Sequence, residues 1–175
     1  MTDSTREDQG RNEDDMRQYL TFRLHDELYG IDILRVREII EYGKVTPVPR
    51  MPDCVRGIIN LRGSVVPVLD LGKRFTKVAT EVTPKTCIVI AEIEEDGGIV
   101  EIGVIVDAVN EVSDIDDDDT EAPPSFGGRI RQDFIQKIGK LEDHFVIVLN
   151  VDKVLDIDEL SALQSGLMRN EAAAA

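Results

Sequence analysis

Apolar and polar residues alternate over Tyr19-Leu20-Thr21-Phe22-Arg23-Leu24, where Leu20, Phe22 and Leu24 share one face. A period of two marks a half-buried strand, so ordered structure is expected to begin here. His25-Asp26-Glu27 reads as a polar turn, and Leu28 to Asp32 as the returning strand. The period then changes. Ile33, Val36, Ile39 and Ile40 recur at helical spacing with Asp32 placed to cap them, which predicts a short amphipathic helix. Three prolines in six residues, Pro47, Pro49 and Pro52, make the next stretch an extended loop or a sheet edge. Arg56 to Leu71 holds two β-branched-rich runs joined at Arg62-Gly63. That pattern predicts a buried hairpin, with Gly63 free to take the positive φ of a tight turn. Leu71 to Lys77 adds a helical turn, and Asp70 is its strand-end cap.

The second half opens with a strand over Thr86 to Ile93, a turn at Glu95 to Gly98 and a strand over Ile99 to Val106. Val109 and Val112 close a short helix-like segment, and Asp114 to Pro124 reads as an acidic loop. Phe134 to Ile138 and Phe145 to Val151 form another hairpin. Asp156 then opens a helix with Ile157, Leu160, Leu163 and Leu167 on one face, a stripe suited to docking on the core.

The halves repeat. A shift of 73 residues (103 − 30) places Gly30 on Gly103, Val36 on Val109, Glu38 on Glu111 and Ile39 on Val112. A shift of 80 (141 − 61) places Leu61 on Leu141 and Val65 to Leu69 on Phe145 to Leu149. The expected fold is all-β with minor helices. It consists of two small five-stranded β-barrels, SH3-like and related by a pseudo-twofold, plus a C-terminal amphipathic helix. The first barrel is expected at about 18–80, the second at about 85–155 and the helix at about 156–168. Residues 1–17, acidic and nearly without apolar side chains, are expected to form a disordered arm, and 169–175 a disordered tail.

The repeat also supplies an internal control. The second hairpin turns through Leu141-Glu142-Asp143-His144 and lacks both Arg62 and Gly63, and Lys137 stands where Gly57 would. Arg-Gly is thus not needed to make this hairpin, and Gly57, Arg62 and Gly63 become candidates for work beyond folding. Asp143 also tolerates a left-handed turn, which keeps a pure turn role open for Gly63.

Charge narrows the partners. The 175 residues carry a formal net charge of −15. Phosphate-backbone binding needs clustered Lys and Arg, so no nucleic-acid partner is expected. Binding to an anionic membrane surface is disfavoured for the same reason, and no apolar run approaches the roughly 18 residues of a membrane span. The polar N-terminus has no signal-peptide pattern, and Cys54 and Cys87, without metal spacing, fit a reducing cytosol. No cofactor motif stands out. Gly-x-Ser-x-Gly and phosphate-loop patterns are missing, and His25 and His144 stand without supporting ligands. Asp114, Asp116 and Asp118 resemble the start of a calcium loop, but Asp119 and Ser125 occupy the positions that need Gly and Glu. Asp70-Leu71-Gly72 faintly suggests an aspartic-protease loop, but its counterpart Asn150-Val151-Asp152 lacks the second carboxylate.

The segment Arg56 to Leu71, with Asn60-Leu61-Arg62-Gly63 at its centre, resembles the hallmark of the bacterial chemotaxis coupling proteins, the CheW family. Tyr29 to Ile33, Thr46 to Pro49 and Val104 to Asp107 match it too, and the likeness runs from about Tyr19 to Leu160. The resemblance implies a non-enzymatic cytoplasmic adaptor. It would join the cytoplasmic tip of a methyl-accepting chemoreceptor to the regulatory domain of the histidine kinase CheA, in membrane-associated arrays. Carried over residue by residue, Glu38, Gly57, Asn60 and Arg62 would meet the receptor tip. Leu20, Ile33, Val36 and Val48 would line the kinase-facing end, with some of the four expected to be buried. Weak self-association through the same barrel ends stays open. Two alternatives stand beside this reading. One is a scaffold of the same fold in a non-flagellar pathway, such as twitching motility or second-messenger control. The other is an acidic β-barrel hydrolase, which a pocket of perturbed carboxylates would reveal.

Overall fold

The alternating segment near the start is strand β1 (Met16–Leu24), which turns through His25 and Asp26 into β2 (Glu27–Asp32). The computed structural model describes residues 16–95, 97–123 and 132–156. His25 and Asp26 have positive φ, 48° and 69°, as a tight two-residue hairpin requires. A 3-10 turn at Ile33–Arg35 leads into β3 (Val36–Glu41). The expected hairpin is β4 (Val55–Leu61) and β5 (Ser64–Asp70), and α1 (Leu71–Thr76) follows with Asp70 as its cap. The second half holds β6 (Cys87–Glu95), β7 (Gly98–Val106), β8 (Ala108–Asp116) and the two-residue β9 (Thr120–Glu121). It ends with β10 (Ile135–Leu141), β11 (His144–Leu149) and the single turn α2 (Val151–Val154).

These strands make two sheets, ordered β8-β1-β2-β11-β10-β9 and β3-β6-β7-β5-β4. They are the two SH3-like barrels of the expected fold class, one with β9 as a sixth strand. The barrels do not follow the sequence halves, however. β1 and β2 leave the first half to join β8–β11, while β6 and β7 leave the second half to join β3–β5. Contiguous barrels at 18–80 and 85–155 are therefore replaced by interleaved ones. The registers confirm the repeat all the same. Gly30 pairs with Val148 in one sheet and Gly103 with Val68 in the other, through parallel β2·β11 and β7·β5 contacts. Those are equivalent pairs under the shifts of 73 and 80.

Interleaving gives the molecule three apolar layers. Tyr19, Ile115, Val146 and Val148 fill one barrel, and Val66, Val68, Ile88, Ile90 and Ile105 fill the other. Between the barrels lies the largest layer, which takes Leu20, Phe22 and Leu24 from β1 and Val89, Ala91 and Ile93 from β6. Central strands buried on both faces explain the near-continuous apolar runs at Cys87–Ile93 and Gly103–Val106. Phe22, Tyr29, Phe75 and Phe134 form a chain of ring contacts through this layer, with centroids 6.2, 5.8 and 6.0 Å apart.

Several expectations need correction. The predicted helix over Ile33–Ile40 is a 3-10 turn followed by β3. Asp32 does cap it, its Oδ1 accepting from the Leu34 amide at 2.9 Å. The spacing misled because Val36 pairs with Ala91 and Glu38 with Ile90, leaving Arg37 as an extra residue in a bulge. A bulge puts i and i+3 on one face of a strand, so Val36 and Ile39 mimic a helix. The same irregularity at Asn110 disguised Val109 and Val112, which lie on β8. Met16 and Arg17, expected in the disordered arm, pair with Asp116 and Ile115. The expected acidic loop is in fact the end of β8, a 3-10 turn at Asp117–Asp119 and β9. Ile115, 1% exposed, anchors it from inside the barrel. The helix expected at 156–168 lies, but for Asp156, outside the described residues, as do the tail and residues 1–15.

Candidate functional site

The hairpin turn between β4 and β5 is held in a tight left-handed conformation. Arg62 has φ 53° and Gly63 has φ 87°, the pair of positive angles a type I′ turn demands. The Asn60 side chain locks it, its Oδ1 accepting from the Gly63 amide at 2.9 Å. Arg62 then reaches across to Glu38, with Nη1–Oε1 3.0 Å and Nη2–Oε2 3.1 Å. Glu38 sits on β3 and Arg62 in the turn just past β4, and β3 and β4 are the two outer strands of the five-stranded sheet. The ion pair therefore spans the seam where this barrel curls onto itself. The Arg62 side chain remains 67% exposed. An exposed pair contributes only about 0–1 kcal/mol, so its main effect is to aim the guanidinium.

Gly57 has a backbone reason to be glycine. Thr46 pairs with Ile58, each amide donating to the other's carbonyl at 2.9 Å. This brings the loop's backbone over β4, and a Cβ on Gly57 would clash with the Thr46 carbonyl oxygen. Its φ of 156° and the bulge at Val55/Gly57 disfavour a side chain further. Glu38, Gly57, Asn60 and Arg62 all belong to one barrel, and the structure brings Glu38, Asn60 and Arg62 to a single seam.

The kinase-side candidates divide. Leu20 is 1% exposed in the layer between the barrels, so it is no surface contact; its alternation with Phe22 and Leu24 buries it. Ile33 and Val36 are half-buried against that same layer. Ile33 lies on the 3-10 turn at Ile33–Arg35, the crossing segment from one barrel to the other, and Val36 on β3. Val48 is half-buried in the proline loop.

Sequence reasoning passed over Arg56. It is the extra residue of the β4 bulge and points to Asp70, Nη2 donating to Oδ2 at 2.7 Å. It also donates to the Tyr42 hydroxyl at 3.2 Å and the Thr80 carbonyl at 3.2 Å. Asp70 is 1% exposed. Its oxygens accept from the Thr80 hydroxyl at 2.6 Å, the Thr80 amide at 2.8 Å and the Lys73 amide at 3.1 Å. Burial pushes the carboxyl up, but the bonds from Thr80, Lys73 and Arg56 outweigh it and hold Asp70 below the usual carboxylate range. This hub ties α1 and the loop after it to the Arg62 barrel. An Arg beside the bulge glycine, with an Asp ending the partner strand, was the available signal.

Arg35 and Arg37 were passed over too. Arg35 grips Asp152 with two bonds of 3.0 and 2.7 Å and donates to the Glu92 carbonyl at 3.3 Å, tying the crossing segment to both barrels. Arg37 lies 3.0 Å from Glu92 and 3.4 Å from Glu101, two carboxylates that face each other across β6 and β7. In the acidic segment, Asp116 caps its 3-10 turn through the Asp118 amide at 3.1 Å, and Lys137 pairs with Asp117 at 3.1 Å. Among the described residues, no three His, Cys, Asp or Glu side chains gather as a metal site, and no helix is long and apolar enough to cross a membrane.

Comparison with known proteins agrees with this architecture. A family model described as a CheW-like domain matches residues 18–159. The chain is 33% identical over 154 residues to the chemotaxis protein CheW of Treponema pallidum, covering 86% of this chain and 88% of that protein. It is 29% identical over 148 residues to CheW of Klebsiella aerogenes, covering 85% and 87%. Protein FrzA of Myxococcus xanthus is 32% identical over 111 residues, covering 63% and 66%. Among solved structures, the scaffolding protein TtCheW from Thermoanaerobacter tengcongensis superposes with a TM-score of 0.71 at 36% identity, covering 80% of this chain and 88% of that one.

Proposed function

The chain belongs to the CheW-like domain family, and from that premise we propose that it is a non-catalytic adaptor coupling chemoreceptor tips to the histidine kinase CheA. A role as a chemotaxis scaffold follows from its relatives; the coupling of these two partners is our reading. The observation that carries it is Arg62, aimed by Glu38 and by the Asn60-locked turn yet left 67% exposed. An oriented, open guanidinium can hold carboxylates or backbone carbonyls of a helical receptor tip. Glu38 and Asn60 place it, and Gly57 lets the Thr46 loop close beside it. Ile33, Val36 and Val48 form the kinase-facing set in this reading, with Leu20 supporting them from beneath. Weak contacts at two faces gain strength in an array through effective concentration. In the cell the chain would act in the cytoplasm, recruited to membrane-associated arrays.

Co-sedimentation with receptor signalling-domain arrays and CheA, with kinase autophosphorylation read in parallel, tests this. The expected result is receptor-dependent pelleting and raised kinase activity, both weakened by Arg62→Glu in a protein that still folds. Folding without recruitment or activation would overturn it. The match to FrzA, a relative whose name does not mention chemotaxis, supports a second reading. In it, a scaffold of the same fold serves a non-flagellar pathway, and the chain would recruit that pathway's receptors and kinase instead.

A further inference from the structure

The other barrel carries a groove that the coupling reading leaves unused. β2 and β11 run parallel but pair only at Tyr29·Ile147 and Gly30·Val148. Towards their hairpin turns, Glu27 and Leu28 are paired only with β1, and His144 to Val146 only with β10. The sheet therefore splits, and the split opens into a groove of about 380 Å³. Leu28, Phe145 and Ile147 form its apolar part, and Asp26, Glu27 and Asp143 supply carboxylates, against Arg23 and His144. Phe145 is 64% exposed, although Phe22, Phe75 and Phe134 are all buried in the layer between the barrels. Its counterpart in the repeat, Val65, is 70% exposed at the same place in the Arg62 barrel. An apolar side chain beside the turn is thus built into both barrels, but one turn is Arg62-Gly63 and the other Glu142-Asp143.

We propose that this groove is a further docking site, taking an extended segment of a partner protein in which a Lys or Arg stands next to an apolar side chain. The three carboxylates select the cation, and Phe145 with Leu28 receives the apolar neighbour. The unpaired edges of β2 and β11 offer backbone hydrogen bonds to an extended chain. The excess of carboxylates disfavours nucleic acid. A net charge of −15 makes copies of this chain repel, which favours a separate partner over self-pairing.

Selection of a random dodecapeptide display library on the full-length chain tests this directly. Enriched sequences are expected to carry a basic residue beside an apolar one. A winning peptide, followed by fluorescence anisotropy, should bind about tenfold more weakly to Phe145→Ser and to Asp143→Lys. Its binding should also weaken with salt and be unchanged by Arg62→Glu. Both positions are on the surface, and circular dichroism would confirm that each variant folds. No enrichment, winners without basic residues, or equal binding to Phe145→Ser would overturn the proposal. So would a concentration-dependent rise in mass abolished by Phe145→Ser, which would make a second copy the occupant.

Discussion

The hairpin turns of the two barrels share a left-handed first residue and differ in the second residue, where Gly63 has positive φ and Asp143 does not, and in chemistry. Arg62 has φ 53° and its counterpart Glu142 has φ 45°. Both are non-glycine residues in a left-handed conformation that costs about 1 kcal/mol or more. The fold thus demands the conformation, twice, and not the side chain. What differs is what surrounds each turn. Arg62 is aimed by Glu38 and Asn60. At the positions equivalent to Asn60 and Gly57, the other barrel has Lys140 paired with Glu121 at 2.7 Å and Lys137 paired with Asp117. Duplication gave two copies of a frame, and the positive turn is elaborated on one of them.

The same contrast predicts where stability is concentrated. Asp70 and Asn150 end equivalent strands, but Asp70 collects four hydrogen bonds, while Asn150 makes no side-chain cap bond. Asp70→Ala leaves Arg56 without its carboxylate and should cost about 3–5 kcal/mol, whereas Asn150→Ala should cost under about 1 kcal/mol. Urea unfolding of the two variants measures the gap. The folded Asp70 carboxyl sits below its ordinary value. Its stabilisation is therefore complete above the unfolded pKa of about 4 and is lost as the pH falls through the folded value. The difference between wild type and Asp70→Asn should shrink over that acid window. A gap that stays constant would remove Asp70 as its cause.

How much of this was legible depended on how local each signal was. Leu20, Phe22 and Leu24 announced β1, and Asp70 announced α1, because a two-residue period and a cap are read within a few positions. Bulges at Arg37 and Asn110 hid β3 and β8, since one extra residue turns a strand period into an apparent helical one. The interleaving was invisible because it rests on parallel pairs such as Gly30·Val148, distant in sequence. At the site, the turn and its residues could be read from the Asn60 to Gly63 motif, but Arg56 could not be assigned before Asp70 and Thr80 were placed around it. Leu20 shows the converse: a motif position can belong to the core.

A smaller effect is expected at the bulges. Gly57→Ala drives a Cβ into the Thr46 carbonyl and should cost roughly 3 kcal/mol, while Lys137→Ala at the equivalent position should cost about 1 kcal/mol or less. Equal losses in thermal or urea unfolding would mean that the Thr46 contact relaxes freely. The smallest and sharpest effect lies in the turns. Glu142→Gly relieves a left-handed residue and should stabilise the fold by about 0.5–1 kcal/mol. Arg62→Gly relieves the same strain but loses the Glu38 pair, worth about 0–1 kcal/mol, and should be close to neutral. Only Arg62→Gly should abolish receptor recruitment. Loss of recruitment in both would show that turn rigidity, and not the guanidinium, is what matters.

The most direct test of the central claim exchanges the charges of the seam. Receptor-array co-sedimentation would compare wild type, Arg62→Glu and the double variant Glu38→Arg with Arg62→Glu, which restores an ion pair in reverse. If the pair exists to aim a cation at the receptor, the double variant folds like wild type and still fails to pellet with the arrays. If the double variant recovers recruitment, the seam needs only an ion pair to close it, and the role assigned to Arg62 is wrong.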